Sequence, residues 1–153
     1  MTELRFRDAV ASDLPALVAM LADDMLGAAR DDASLPLDPG YLAAFEAIAD
    51  NPSQFLIVAE LDGRLVGTLQ IALLPGLSRK GACRGLLEGV RIVGDLRGQG
   101  LGEALVRWAV EECRARGCAS VQLTSDARRA DAHRFYERIG FKQSHRGYKL
   151  TIG

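Results

Sequence analysis

The sequence predicts a mixed α/β domain, with a mostly antiparallel central sheet of about six or seven strands flanked by about four helices. Three observations carry that expectation. Two β-rich runs, residues 55–61 and 65–74, flank Asp62-Gly63, a pair that tolerates positive φ and marks an antiparallel hairpin. A strand–helix–strand pattern over residues 86–124 requires a parallel pair with a right-handed crossover. The composition, 48% hydrophobic and 25% charged over 153 residues, suits one globular unit spanning residues 1–153, and no repeat, low-complexity tract or linker divides it.

From the N-terminus, "ELRFRDAV" sets Leu4, Phe6 and Ala9/Val10 against Arg5, Arg7 and Asp8, a short strand with one wet face. Ser12 is the expected N-cap of an amphipathic helix. Leu14, Leu17, Val18, Leu21 and Met25 give that helix its apolar stripe to about Ala29, with Asp13 where the helix dipole favours an acid. Residues 30–40 form a loop, a second helix follows over 41–49, and Asn51-Pro52 ends it. Beyond the hairpin, "PGLSRKGACRG" is a basic connection and "LLEGVRIV" (86–93) a strand. After it comes a helix with Leu101, Leu105, Ala109 and Cys113 on one stripe, closed by Gly117 at C′. "ASVQLTS" is the next strand, residues 131–139 a short helix stopped by Gly140, and residues 141–152 one or two closing strands.

A net charge of −1 provides no general attraction to nucleic acid or to an anionic membrane, and Arg128, Arg129 and Arg134 lack the interleaved aromatics of a nucleic-acid surface. Cys83, Cys113 and Cys118 form no CxxC pair, and with only His133 and His145 to join them no metal site is expected. Free thiols and the lack of a leader-like start point to a reducing cytoplasm.

The chemistry-bearing stretch is "DLRGQGLGEAL". Three glycines stand between a strand and a helix start, where the first-turn N–H groups are unpaired and the dipole is positive. Such a turn lets a phosphate reach the backbone. A Rossmann GxGxxG fails in both frames, because Glu103 or Leu105 occupies the third glycine's place. The Walker pattern also fails: Gly76–Gly81 is followed by Ala82-Cys83, and Gly89–Gly94 by Asp95-Leu96.

What remains is Arg97-Gly98-Gln99-Gly100-Leu101-Gly102, an R-x-x-G-x-G run, followed after the next strand by "RFYERIGF" (134–141). Here the chain resembles the GCN5-related N-acetyltransferases, whose Q/R-x-x-G-x-G/A signature holds a coenzyme A pyrophosphate and whose later block reads FYxxxGF. The order of elements is the family's own across essentially the whole chain. The resemblance implies the GNAT-type acyl-CoA N-acyltransferase fold, acetyl-CoA as cosubstrate, and acetyl transfer to a primary amine by direct attack in a ternary complex.

It also implies roles. Tyr136 matches the family's tyrosine and is expected to protonate the leaving thiolate, the alternative being a buried phenol donating to a carbonyl. Glu88 lies nine residues before Arg97, where some members carry an acid. It is expected to share a face with Val90 and Ile92, and is either a general base or a surface or salt-bridged carboxylate. Backbone groups of Ile92, Val93 and Gly94 would serve the oxyanion and pantetheine amides, and the amides of residues 98–102, with Arg97, the pyrophosphate. Arg129 stands where the family often has asparagine, so Arg129 or Ser125 would supply the pantetheine contact. Arg134 or Lys142 is a candidate for the 3′-phosphate, against ordinary solvated cations.

His133 and His145 read as surface residues and Trp108 as a packing residue or part of a subunit contact. The acceptor pocket is expected from residues 23–40, 75–85 and 143–148, where Asp23, Asp24, Asp31 and Asp32 either attract a cationic amine or belong to a solvated loop. The acceptor is a small-molecule or peptide amine, and the family makes a homodimer an open expectation. The competing reading is a non-catalytic acyl-CoA-binding regulatory module.

Overall fold

The computed structural model describes residues 3–24 and 26–153. In chain order the elements are β1 (Leu4–Asp8), α1 (Leu14–Ala22), α2 (Pro39–Ala49), β2 (Gln54–Leu61), β3 (Arg64–Leu74), β4 (Cys83–Ile92), α3 (Leu101–Ala115), β5 (Cys118–Leu123) and α4 (Ala130–Ile139). Short 3₁₀ turns at Ala11–Asp13, Gly27–Ala29 and Gly94–Leu96 link them. The strands lie in the order β1-β2-β3-β4-β5. β1 to β4 pair antiparallel and β4 to β5 parallel, as the hairpin and crossover signals require. At the hairpin tip both Asp62 (φ 52°) and Gly63 (φ 79°) have positive φ, the conformation a tight two-residue loop demands.

Strand alternation divides the apolar residues between two cores. Ile57, Ala59, Leu69, Ile71 and Leu87 face α3, whose Leu105, Val106, Ala109 and Cys113 are completely buried against them. Val58 points the other way, into a smaller cluster with Leu14, Leu17 and Met20 of α1. The sheet is therefore sandwiched between α3 and α4 on one face and α1 and α2 on the other, and its last strand pair is held next to the start of α3.

Three expectations are corrected. Ser12 is no cap: it lies inside the Ala11–Asp13 turn, and it is the Asp13 carboxylate that accepts from the Val10 N–H at 2.8 Å and pairs with Arg7 at 2.7 Å. Helix α1 stops at Ala22 rather than near Ala29, because the Asp24 carboxylate captures the Gly27 amide and folds the chain back over the helix end. A Cβ at Gly27 would collide with the Leu21 carbonyl. Met25, assigned to the helix stripe, lies outside the described residues.

The closing strands do not form, leaving five strands among the described residues. Tyr148, Leu150 and Ile152 alternate as a strand would, but are 92%, 87% and 92% exposed. Alternation encodes which face a residue would present and supplies no partner, and residues 141–153 do not pair with the free edge of β5. The three cysteines are free and lie close together. Cys83 is opposite Cys118 in register, and the Cys113 sulfur fills the space beside Gly85 and near Cys118. Burial raises the Cys113 thiol, and burial with neighbouring thiols pushes Cys118 up to about 11, so both remain protonated and unreactive at neutral pH.

Among the described residues no helix is long and apolar enough to cross a membrane, and no group of three His, Cys, Asp or Glu is placed to hold a metal.

Candidate active site

The glycine run forms an open cradle. Gly98 (φ 80°) and Gly100 (φ 83°) both take the left-handed conformation, and a Cβ at either would meet nothing within 4 Å. Glycine is needed there for backbone conformation, and the space in front of it is free. Gly100 caps α3, and the first bond back to it comes from Ala104 at 3.1 Å. Among the described residues the amides of Gly98, Gln99, Gly100, Leu101 and Gly102 donate to no protein acceptor, and residues 98–100 are exposed. Five N–H groups at the positive end of a 15-residue helix are thus available to an anion. Gly102 is different: its Cβ would press on the Phe135 ring at 3.3 Å, so it is small to let α4 approach.

Arg97 is already engaged. Its guanidinium donates to the Asp23 carbonyl at 3.0 Å and to the Ile92 carbonyl at 3.3 Å, and lies 3.6 Å from the Asp23 carboxylate. It ties the cradle to the end of α1 and adds charge at its rim.

The strand leading to the cradle forks. Pairing of β4 with β5 ends at Leu87↔Leu123, while β4 continues along β3 to Ile92. A bulge opposite Thr68–Gln70, centred on Gly89 (φ 62°), adds one residue to β4 and reverses the alternation beyond it. This corrects the face of Glu88. Val90 and Ile92 pack into the α3 core, whereas Glu88 is exposed and shares the α1 face with Arg91. Among the described residues Glu88 forms no ion pair.

The three backbone positions expected to serve the reacting carbonyl are not equivalent. Val93 is committed, its N–H donating to Val66 at 2.9 Å and its carbonyl accepting from Leu96 at 3.1 Å. Its backbone is therefore withdrawn from the expected set. One residue out of phase, the Ile92 backbone faces the open side of the fork, where its carbonyl accepts from Arg97 and, among the described residues, its N–H makes no bond outside the sheet. The Gly94 N–H makes no backbone bond among the described residues.

Tyr136, on α4, packs edge-on against Phe135 (5.1 Å) and Phe141 (5.8 Å). Its hydroxyl bonds to no protein group among the described residues, so the alternative of a phenol satisfied by a carbonyl is not realised. Burial raises its pKa, and the nearby Arg91 and Arg129 guanidinium groups oppose that shift.

Arg129 does not point freely toward a ligand. It donates to Asp24 Oδ2 at 3.1 Å, and the same oxygen is 3.5 Å from Arg91 Nε. The Arg91 Nε is buried without a hydrogen-bond partner. Sequence reasoning missed Arg91 and the linking role of Asp24. The available signal was a lone arginine inside the apolar run "GVRIV".

The remaining acids of the first loop are occupied locally. Asp31 accepts from Tyr41 Oη at 2.9 Å and Asp32 from the Ser34 N–H at 2.9 Å, which fixes their orientation within the loop. Arg134 pairs with Asp131 and Lys142 is exposed. His133 Nε2 bonds the Asp126 carbonyl at 2.9 Å, His145 lies in the exposed tail, and Trp108 stacks on Phe6 at 4.7 Å as a packing residue. Gly100→Val places a β-branched side chain in a left-handed position, costing about 1–2 kcal/mol. Coenzyme A affinity measured by calorimetry is expected to fall about tenfold or more; an unchanged affinity would remove the cradle from cofactor binding.

A forked parallel strand pair feeding a glycine-opened helix defines the acyl-CoA N-acyltransferase class of fold. The model of the Acetyltransferase (GNAT) family matches residues 18–141, and the chain belongs to that family. The aminoalkylphosphonate N-acetyltransferase of Salmonella typhimurium is 43% identical over 61 residues, 40% of each chain. The glucosamine 6-phosphate N-acetyltransferase of Trypanosoma brucei brucei is 34% identical over 90 residues, 59% of each chain. The matches thus span less than two thirds of these relatives' lengths. A crystal structure from Bacillus halodurans C-125, described as a transcriptional regulator, superposes with a TM-score of 0.94 at 44% identity, covering 98% of this chain and 100% of its own.

Proposed function

We propose that the chain is an acetyl-CoA-dependent N-acetyltransferase that acetylates the primary amine of a small molecule or peptide by direct attack in a ternary complex. The observation that carries this reading is the row of unbonded amides from Gly98 to Gly102 at the helix start, beside a tyrosine whose hydroxyl has no protein partner. Two of the relatives are named as N-acetyltransferases, one of aminoalkylphosphonate and one of glucosamine 6-phosphate.

In this reading the amides of Gly98, Gln99, Gly100, Leu101 and Gly102 hold the diphosphate, with Arg97 at the rim. The fork between β4 and β5 admits the pantetheine arm, and Arg129 stands beside its path. The Ile92 and Gly94 N–H groups are the oxyanion donors. An attacking amine with a pKa of about 10.4 costs roughly 4.6 kcal/mol to neutralise at pH 7. Glu88, unpaired and exposed on the α1 face, takes that proton directly or through water. Tyr136 gives its proton to the departing thiolate.

The Bacillus halodurans relative, covering nearly the whole chain, supports a second reading as an acyl-CoA-binding regulator without turnover. Free-thiol release from acetyl-CoA against a panel of amines separates the two. Amine-dependent release is expected, with Glu88→Gln altering its pH–rate profile. Saturable acetyl-CoA binding with no release under any acceptor would favour the regulator.

A further inference from the structure

The Gly89 bulge turns Arg91 onto the face shared with Glu88, toward the end of α1 and away from the α3 core. There its side chain is 17% exposed, and burial, the largest influence on it, disfavours its charge. Its surroundings are poor in compensation. One guanidinium NH donates to the Val90 carbonyl at 2.9 Å, and Nε is buried and unpartnered, 3.5 Å from Asp24 Oδ2. That oxygen already accepts from Arg129 at 3.1 Å, while the Gly27 amide takes Oδ1. Arg30 is close enough to oppose the Arg91 charge further. The Asp24 carboxylate is therefore shared by the Arg91 and Arg129 guanidinium groups, both of which lie near the Tyr136 phenol.

Two desolvated guanidinium groups sharing one carboxylate are costly unless a further anion pairs with them, and the exposed parts of Arg91 and Arg129, not the enclosed Nε, are what such an anion would reach. The cradle at Gly98–Gly102 is a separate anion site formed from backbone, so the cofactor's diphosphate does not account for these side chains. We infer that Arg91, with Arg129, binds a phosphoryl or phosphonyl group on the acceptor molecule, so that the substrate is a small amine carrying a tetrahedral oxyanion. A planar guanidinium fork suits such an oxyanion, and Asp24 holds the two forks in place until it arrives. This deepens the transferase reading and rests on it for turnover.

The test pairs 2-aminoethylphosphonate with propylamine, amines that differ in the charged group, and measures thiol release from acetyl-CoA. The expected kcat/KM ratio is about 10- to 100-fold in favour of the phosphonate, the size of one charge-assisted hydrogen bond. In Arg91→Gln the ratio falls to near one, and in Arg91→Lys, which keeps charge without the fork, it lies between. Coenzyme A binding by calorimetry confirms that each variant is folded. Inorganic phosphate is added in a further arm: inhibition of the phosphonate reaction alone shows that free phosphate reaches the same site. A wild-type ratio near one, or a ratio that survives Arg91→Gln, overturns the inference. If no amine releases thiol, the transferase reading fails and methylphosphonate binding decides the anion site: saturable binding weakened by Arg91→Gln supports it, and no binding overturns it.

Discussion

Tyr136→Phe is expected to lower kcat by about 10²- to 10⁴-fold, the usual contribution of a positioned proton donor. The phenyl ring keeps the edge contacts with Phe135 and Phe141, so folding and the approach of α4 to the cradle are preserved. Burial raises the tyrosine's pKa, so the hydroxyl is protonated throughout the neutral range and ready to donate. The substitution removes one oxygen that no protein group uses, and the loss falls on turnover. Acetyl-CoA affinity by calorimetry should change by no more than a few fold. Unchanged kcat at saturating amine would exclude Tyr136 as the acid.

The largest effect on stability is expected from Leu105→Ala. Leu105 is completely buried in the second turn of α3, against the strands that lead to the cradle. Its Cδ2 lies over Gly67 of β3, within ordinary contact distance of where a Cβ would stand, so the side chain spans from α3 to the sheet. Truncation leaves a cavity and costs about 2–5 kcal/mol, read as a lower urea midpoint with unchanged slope. Leu77→Ala is the control: Leu77 is 97% exposed and should change stability by about 0.5 kcal/mol or less. If the two variants melt alike, α3 is not anchored as described.

Much of the fold was legible because it depends on local rules. The Asp62-Gly63 hairpin, the crossover through α3, and the stops at Gly117 and Gly140 each follow from backbone preference or hydrophobic period. The cradle was legible for the same reason, since glycines before an amphipathic helix describe their own geometry. What was not legible depends on partners distant in sequence. Asp24 reaches Arg129 across 105 positions, and no local pattern announces that. The Gly89 bulge is a single extra residue in an otherwise regular run, yet it decides which way Glu88 and Arg91 point. The closing segment carries a strand's alternation in Tyr148, Leu150 and Ile152 but does not pair with the free edge of β5. A pattern records which face a residue prefers, and only tertiary contacts decide whether that preference is met.

The fork between β4 and β5 means that the sheet is left partly unzipped beside its last strand. Beyond Leu87↔Leu123 the two strands expose peptide groups to a seam with no third strand to fill it. An extended guest with amides of its own can lie in that seam as a temporary strand and restore the missing ladder. Occupancy would then extend the ladder along β4 past Leu87 only while the guest is present.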